Sequence, residues 1–342
     1  MAGEYGVTGY GYRQAVLTVY SSPTDLGLTG ITEIFFKQPF NRLGYAMNFS
    51  FQRTYICPNP FNACNVQIQN PSMDLINTIT QYDLKNYKGR PRIEIRAGYS
   101  KERIERKSEA NKLKATLPLI YSGYPYEFYD NKILGGRTLN FSLFDGLTVN
   151  LYGKAARFFG TFAAGSRLGD IVNAMAKYGN FQIDTEGDPV SGLLFSTRTK
   201  SKLFYNGRFI LQDILPALGR DYGFTMSVNA QGVYVCRTVL ASAKPGLPVI
   251  ISAETGMIEQ PSRVNATHWQ VKTLFGLPRV LFPGDYATIK GGFLEHYFGK
   301  NNNTVSGLVI DCDYSFADTT GECTYTVAPE GQPYVSMPFL QQ

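Results

Sequence analysis

The sequence predicts a mainly β protein with an α+β portion in its middle. Three observations predict it. Apolar residues alternate with period two in stretch after stretch, the signature of strands with one buried face. Gly and Pro, 34 and 18 of 342 residues, make up about 15% of the chain against an average near 12%, which favours many short elements joined by turns. Helical periodicity is concentrated in the middle third. The chain also exceeds the roughly 250–300 residues at which one core stops growing, so two or more domains are expected.

The alternation starts at Gln14–Tyr20 (QAVLTVY) and returns at Ile31–Phe36, Ala46–Ile56, Asn65–Asn70 and Arg92–Tyr99. A Pro-Ser start followed by apolar residues at helical spacing places one short helix between Asn70 and Lys85. The mixed-charge run Lys101–Lys114 holds six Lys or Arg against three Glu. Its charges forbid burial unless they are paired, so it is expected to project between two strands as a loop or exposed helix. Two more strands follow, LIYSGYPYEFYDNKI and Arg137–Gly146. Ser166–Gly179 then reads as a helix with a Ser cap, a Gly stop and Leu168, Ile171, Val172, Met175 and Ala176 on one face. Arg208–Val228 repeats the type with Ile210, Leu211, Ile214, Leu215 and Leu218 inward, and Pro216 makes it kink or restart. Gly232–Leu240 is a strand. From Pro248 strands resume: VIIS, HWQVKTLF, DYATIKGGF, NTVSGLVIDCDYSF and GECTYTV. The expected domains are 1–149, a first β-barrel carrying the insertion 101–114; 150–247, mixed α/β; and 248–342, a second β-barrel.

Several function classes lose support from composition. No apolar run approaches the roughly 18 residues of a membrane span, and the N-terminus lacks the regions of a signal peptide; the chain reads as soluble and made in the cytoplasm. The five cysteines are odd in number, which argues against a disulfide framework. The six-residue gap between Cys57 and Cys64 is too wide for a zinc knuckle, so no metal is expected. A Cys57–Cys64 loop disulfide, a Cys312–Cys323 hairpin disulfide, and free buried thiols remain open for these residues. The 23 Tyr and 23 Phe are more than a core needs, and Tyr is enriched at interfaces. That excess points to assembly.

Catalysis leaves little trace. The two histidines, His268 and His296, sit near no Ser, Cys or Asp in a nucleophile pattern, and no Gly-rich segment ends in the Gly-Lys-Ser/Thr of a phosphate loop. Asp311 and Asp313 alternate on one strand and so share a face. With Glu322 they are the candidates if the chain were a hydrolase, and a cation site is a weaker reading. No catalytic, cofactor-binding or metal residue is assigned.

The stretch ISAETGMIEQPS (Ile251–Ser262), followed about twenty residues later by LFGLPRVLFPGDYATIK, resembles the start of the last domain of phage baseplate hub proteins. The matching residues are Ser252, Thr255, Gly256, Met257, Ile258, Pro261, Ser262, Pro283 and Gly284. NVQIQNPS, RIEIRAGYS with Gly98, and LIYSGYPYE with Gly123 resemble further phrases of the same family in the same order. The departures are the insertion 101–114, the loop between Cys57 and Cys64, and the final segment APEGQPYVSMPFLQQ.

This resemblance implies a hub of the contractile-tail type, related to type VI secretion spike hubs. Such a hub is a homotrimeric ring of chains, each with two tail-tube-like barrels flanking an α/β portion. It would adapt a sixfold tube to a threefold spike and leave a channel for DNA. The implied partners are other copies of the chain, the tail tube protein, the spike protein, other baseplate proteins and passing genomic DNA, in a virion assembled in the host cytoplasm, with no cofactor and no membrane insertion. Glycan-binding β-sandwich proteins, also rich in aromatics and poor in His, are the alternative reading, and a tail-associated hydrolase is the other.

Overall fold

In a computed structural model of the chain, the described residues are 7–8, 11–20, 30–36, 46–54, 63–80, 91–104, 106–133, 136–144, 157–185, 189–238, 248–265, 267–298, 303–317 and 321–329. The first part contains β1 (Val7–Thr8), β2 (Gly11–Tyr20), β3 (Gly30–Phe36), β4 (Ala46–Thr54), β5 (Cys64–Gln69), α1 (Met73–Thr80), β6 (Arg92–Ser100), α2 (Ala110–Thr116), β7 (Leu119–Ile133) and β8 (Gly136–Phe144). The middle contains β9 (Arg157–Phe162), α3 (Leu168–Gly179), β10 (Ile183–Asp184), α4 (Pro189–Ser196), β11 (Leu203–Phe209), a π-helical turn Ile210–Ile214, α5 (Leu215–Tyr222), β12 (Phe224–Val228) and β13 (Tyr234–Thr238). The last part contains β14 (Val249–Ile251), β15 (Ser262–Arg263), β16 (Trp269–Leu274), β17 (Tyr286–Lys290), α6 (Glu295–Phe298), β18 (Thr304–Phe316) and β19 (Gly321–Pro329). The protein is mainly β, with the α+β portion between two β-rich stretches.

The two β-rich stretches are joined in one 14-stranded sheet of order β1-β2-β6-β7-β8-β5-β4-β18-β19-β16-β15, with β3 on β2, β17 on β18 and β14 on β17. The join is β4 against β18, antiparallel from Asp311↔Thr54 to Phe316↔Phe49. Long strands that change partner along their length make this possible. In β18, Thr304–Leu308 pair with β17, and beyond a register shift at Val309/Asp311 the rest pairs with β4. In β7, Leu119–Gly123 run against β6 and Tyr124 onward against β8. Gly123 is at that corner because a Cβ there would meet the Phe144 carbonyl at 2.5 Å. Closure into two separate barrels is not seen among the described residues.

One core serves both β-rich stretches, drawn from residues between Ala15 and Leu143 and between Ile251 and Val327. Phe49 stacks on Phe316 with ring centroids 5.0 Å apart, and Phe275 meets both edge-on at 5.5 and 5.3 Å. Part of the aromatic content read from composition as interface material therefore fills the chain's own interior. Tyr314 and Tyr325 are also buried, and they hold the Leu281 backbone from two sides. The Tyr314 hydroxyl donates to the Leu281 carbonyl, and the Tyr325 oxygen accepts from the Leu281 N–H at 3.3 Å. A buried polar group needs such a partner.

The middle portion has its own core. The five apolar residues foreseen on α3 are all buried, the four larger ones each contributing roughly 1.5–3 kcal/mol by leaving water. The caps differ from expectation: Arg167, not Ser166, precedes the first turn, and Asn180, left-handed at φ 52°, closes the helix one residue past Gly179. The stretch 208–228 is not one helix. β11 runs to Phe209, the π-helical turn follows, and α5 restarts with Pro216 in its first turn, where a missing N–H costs nothing. Phe224–Val228 is a strand, buried throughout, in a sheet of order β10-β13-β12.

The insertion 101–114 does not project. Ile104, Ala110 and Leu113 fold back with Leu117 onto Val16 of β2 as a small separate core. Gln14, fully buried, fixes it: its Nε2 donates to the Ile104 carbonyl (2.8 Å), and its Oε1 accepts from Ser100 Oγ (2.7 Å). The charges stay in water because α2 is amphipathic, with Asn111 and Lys112 outward.

Neither disulfide considered from the sequence is formed. Cys64, Cys312 and Cys323 are buried free thiols, and Cys57 lies outside the described residues. Across the hairpin Cys312 faces Tyr325 and Cys323 faces Tyr314, so the two thiols are diagonal rather than opposite.

Candidate functional site

The turn residues singled out in the sequence gather at the edge of the last β-rich stretch. β14 ends at Ile251, and Ser252 and Thr255 cap a short turn reciprocally, the Ser252 N–H donating to Thr255 Oγ1 at 2.8 Å. Gly256 takes φ 109°, and a Cβ there would lie 2.7 Å from Leu277 Cβ. That reversal lets the Ile258 N–H reach the Lys272 carbonyl (2.9 Å) and puts Met257 opposite Thr273 of β16. Pro261 and Pro283 are buried. The Gly284 N–H donates to the Val309 carbonyl at 2.8 Å. Gly98 lies in β6 at φ 153°, a backbone conformation that residues with a Cβ rarely adopt. These positions shape the scaffold, and none presents a reactive group.

The distinctive surface is the outer face of the sheet from β7 to β16, which the sequence reading did not single out as a unit. Strand alternation builds it. In β5, Cys64, Val66 and Ile68 point inward and Asn65, Gln67 and Gln69 outward, and the same period runs through β8, β4, β18 and β19. Register then aligns the outward residues in rows. One row is Tyr129, Asn140, Gln67, Asn48; the next is Glu127, Ser142, Asn65, Ser50, Ser315, Glu322; a third is Gln52, Asp313, Thr324, Lys272.

The amides hold one another. Asn48 Nδ2 donates to Gln67 Oε1 (3.2 Å), Gln67 Nε2 to Asn140 Oδ1 (3.0 Å), and Ser142 Oγ to Asn65 Oδ1 (3.0 Å). Together with Ser315 they floor a shallow depression of about 370 Å³, with Glu127 and Tyr129 at its rim.

The face is weakly anionic. Glu127, Asp311, Asp313 and Glu322 stand on it against Lys272, which lies 3.3 Å from Glu322. Burial, with the neighbouring Asp313 charge second, pushes the Asp311 carboxyl up to about 6; burial also raises Asp313, opposed by a hydrogen bond from Gln52. Asp311, Asp313 and Glu322 thus share one face, but Glu322 is held by lysine and no histidine joins them. His268 is buried beside Asn265, whose Nδ2 is 3.0 Å from its Nδ1; His296 is exposed against Tyr297. Among the described residues no group of three or more His, Cys, Asp or Glu could hold a metal ion, and no helix is long and apolar enough to cross a membrane. Chemically, this surface can donate and accept hydrogen bonds, and its charge repels anions.

No family model matches the sequence, and no curated protein matches it. Solved structures do. The chain is similar to the 43 kDa tail protein of prophage MuSo2 from Shewanella oneidensis, with a TM-score of 0.54 and 9% identity over 93% of this chain and 98% of that one. It is similar to the tail protein from Neisseria meningitidis MC58, with a TM-score of 0.56 and 8% identity over 95% and 98%. It also resembles an E. coli component of the type VI secretion system, itself described as structurally similar to T4 bacteriophage tail proteins gp27 and gp5, with a TM-score of 0.50 and 11% identity over 86% and 77%. At such identities what is shared is the fold, and the fold is that of phage tail proteins.

Proposed function

We propose that this chain is a structural hub of a phage-tail-type assembly, with a geometric role and no reaction of its own. The observation that carries the reading is the likeness over nearly the full length of two tail proteins, combined with a sheet face that would suit the wall of a DNA channel. A channel that passes a polyanion must not bind it. Amide and hydroxyl rows with a small excess of carboxylate meet that need, since phosphate binding relies on Lys and Arg.

In this reading three copies form a ring, and 1–149 and 248–342 are the two tube-like units of each copy, with 150–247 between them. Six such units around one axis would match a sixfold tube and leave a threefold face for a spike, and the tube, spike and other baseplate proteins are the partners. Head-to-tail contacts close rings of this kind, and the side of β7 beyond Gly123 that pairs with no other described strand would supply an edge for them. The ring would sit in the virion after assembly in the host cytoplasm. The sugar-binding alternative keeps one favourable feature, the exposed ring of Tyr129 (62%) beside the amide-lined depression.

Native mass spectrometry of the purified chain, with a glycan array in parallel, separates the two. The hub reading expects a species of three copies and no glycan binding. A monomer at all concentrations that retains a defined oligosaccharide would replace it with the sugar-binding reading.

A further inference from the structure

β9 and β11 form a ribbon apart from the large sheet. It is a sheet of two strands, and such ribbons are marginal on their own in water. One face is anchored: Phe158 and Tyr205 are buried, and Phe158 meets Tyr178 of α3 edge-on at 5.1 Å. The opposite face exposes Phe159 by 58% and Phe204 by 69%. Register makes the two rings diagonal neighbours, Phe159 facing Asn206 and Phe204 two residues before it, within aromatic reach of each other. Phe159 lies over Gly207, where a Cβ would come within 3.1 Å of its ring.

Basic side chains outnumber carboxylates around this apolar patch. Arg157 and Arg208 are exposed at one end of the ribbon and Lys200 and Lys202 at the other, against the Asp213 carboxylate, which accepts from the Phe209 N–H at 3.2 Å, and Asp221, whose charge acts on Tyr205. Arg157 is held in place, its guanidinium 4.8 Å over the Phe209 ring.

The two edges differ. β11 is broken by a register shift between Asn206 and Arg208, which blunts it as a template. β9, RFFGTF, is regular, contains no Pro or Lys, and pairs among the described strands with β11 alone. Its outer edge offers backbone donors and acceptors, groups that a lipid surface or a nucleic acid would leave unused.

We propose that β9 is a docking edge for an extended segment of another protein in which an acidic and an apolar residue stand two positions apart, as Arg157 and Phe159 do on one face of β9. The segment adds as a third strand, sets an apolar side chain against Phe159 with Phe204 behind it, and places a carboxylate beside Arg157. Backbone bonds would supply affinity and the alternate side chains specificity. This holds whether or not the tail reading does.

The probe is a synthetic nine-residue peptide, Thr-Val-Thr-Glu-Thr-Phe-Thr-Val-Thr, whose Glu and Phe fall on one face, followed by fluorescence anisotropy against the full chain. Saturable binding is expected, lost when alternate peptide amides are N-methylated or Glu is replaced by Lys. Phe204→Ser and Arg157→Glu should each weaken it roughly tenfold or more, as central aromatic and arginine anchors do, with melting unchanged because both residues are exposed. No binding, equal binding of the N-methylated peptide, or tighter binding of single-stranded DNA or phosphatidylglycerol vesicles would overturn the proposal. So would slow hydrogen exchange at the β9 outer-edge amides in the free chain, because the edge would then already be covered.

Discussion

Phe51 of β4 lies on Tyr314 of β18 with ring centroids 4.3 Å apart and planes 16° from parallel. The pair fastens the start of the chain to its end, directly under the strand junction that makes the two β-rich stretches one sheet. Replacing Phe51 with Ala should cost about 3–5 kcal/mol, the usual penalty for deleting a buried aromatic ring. Hydrogen exchange should then quicken in β4 and β18 together; faster exchange in β4 alone would mean that the stretches fold as independent units.

Asp311 gives a pH signature. Its carboxyl is pushed up to about 6 in the folded chain from an ordinary value of 3.8, so the folded state holds this proton more tightly than the unfolded state. The residue therefore favours the fold most below pH 4, and that contribution is lost as pH rises from about 4 through 6. A shift of about two units would be worth near 3 kcal/mol in full burial, and solvent access to this half-buried group reduces it to about 1 kcal/mol. Asp311→Asn should stabilise the protein by about that amount at pH 7.5 and not at pH 4. Thermal melts at the two pH values check it; equal effects at both would contradict the assignment.

The insertion should behave as a structural element. Leu113 is fully buried against Val16, Ile104, Ala110 and Leu117, and Leu113→Ala should cost roughly 2–3 kcal/mol. Deleting 102–112 would uncover Val16 and leave buried Gln14 without its Ile104 partners, so loss of solubility is expected. A deletion variant that melts like the parent would restore the projecting-loop picture.

Gly256 should resist substitution. At φ 109° with Leu277 Cβ 2.7 Å from any added Cβ, Gly256→Ala combines backbone strain of about 1–3 kcal/mol with a clash. Chemical denaturation should show a lower midpoint, whereas the neighbouring exposed Ala253 should tolerate Gly with little change.

Where one strong period ran through a segment, the sequence was legible. The alternations at Asn65–Asn70 and Arg92–Tyr99 and the inward face of α3 recur in the structure, while Gln14–Tyr20 is a strand but is buried on both faces, one of them by the insertion. The ribbon escaped because β9 and β11 expose Phe159 and Phe204, so apolar residues stand on both faces and no alternation appears. The run 208–228 read as one helix because Ile210, Leu211, Ile214, Leu215 and Leu218 keep helical spacing across the π-helical turn, hiding where β11 stops and β12 begins. The polar sheet face was visible strand by strand as Asn, Gln and Ser between apolar residues. Its assembly depends on β4 meeting β18, a pairing about 260 residues apart that no local period encodes. Asp311 and Asp313 could be placed on one face from spacing alone, but not the burial that raises Asp311.

The central claim is that the β7–β16 face lines a channel in a ring of three copies. Single-particle electron microscopy of the assembled ring measures this directly. The account predicts a threefold ring in which Gln67, Asn140, Ser315 and Asp313 face the central opening. A ring with this face turned outward or buried between copies, or particles with no central opening, would contradict it.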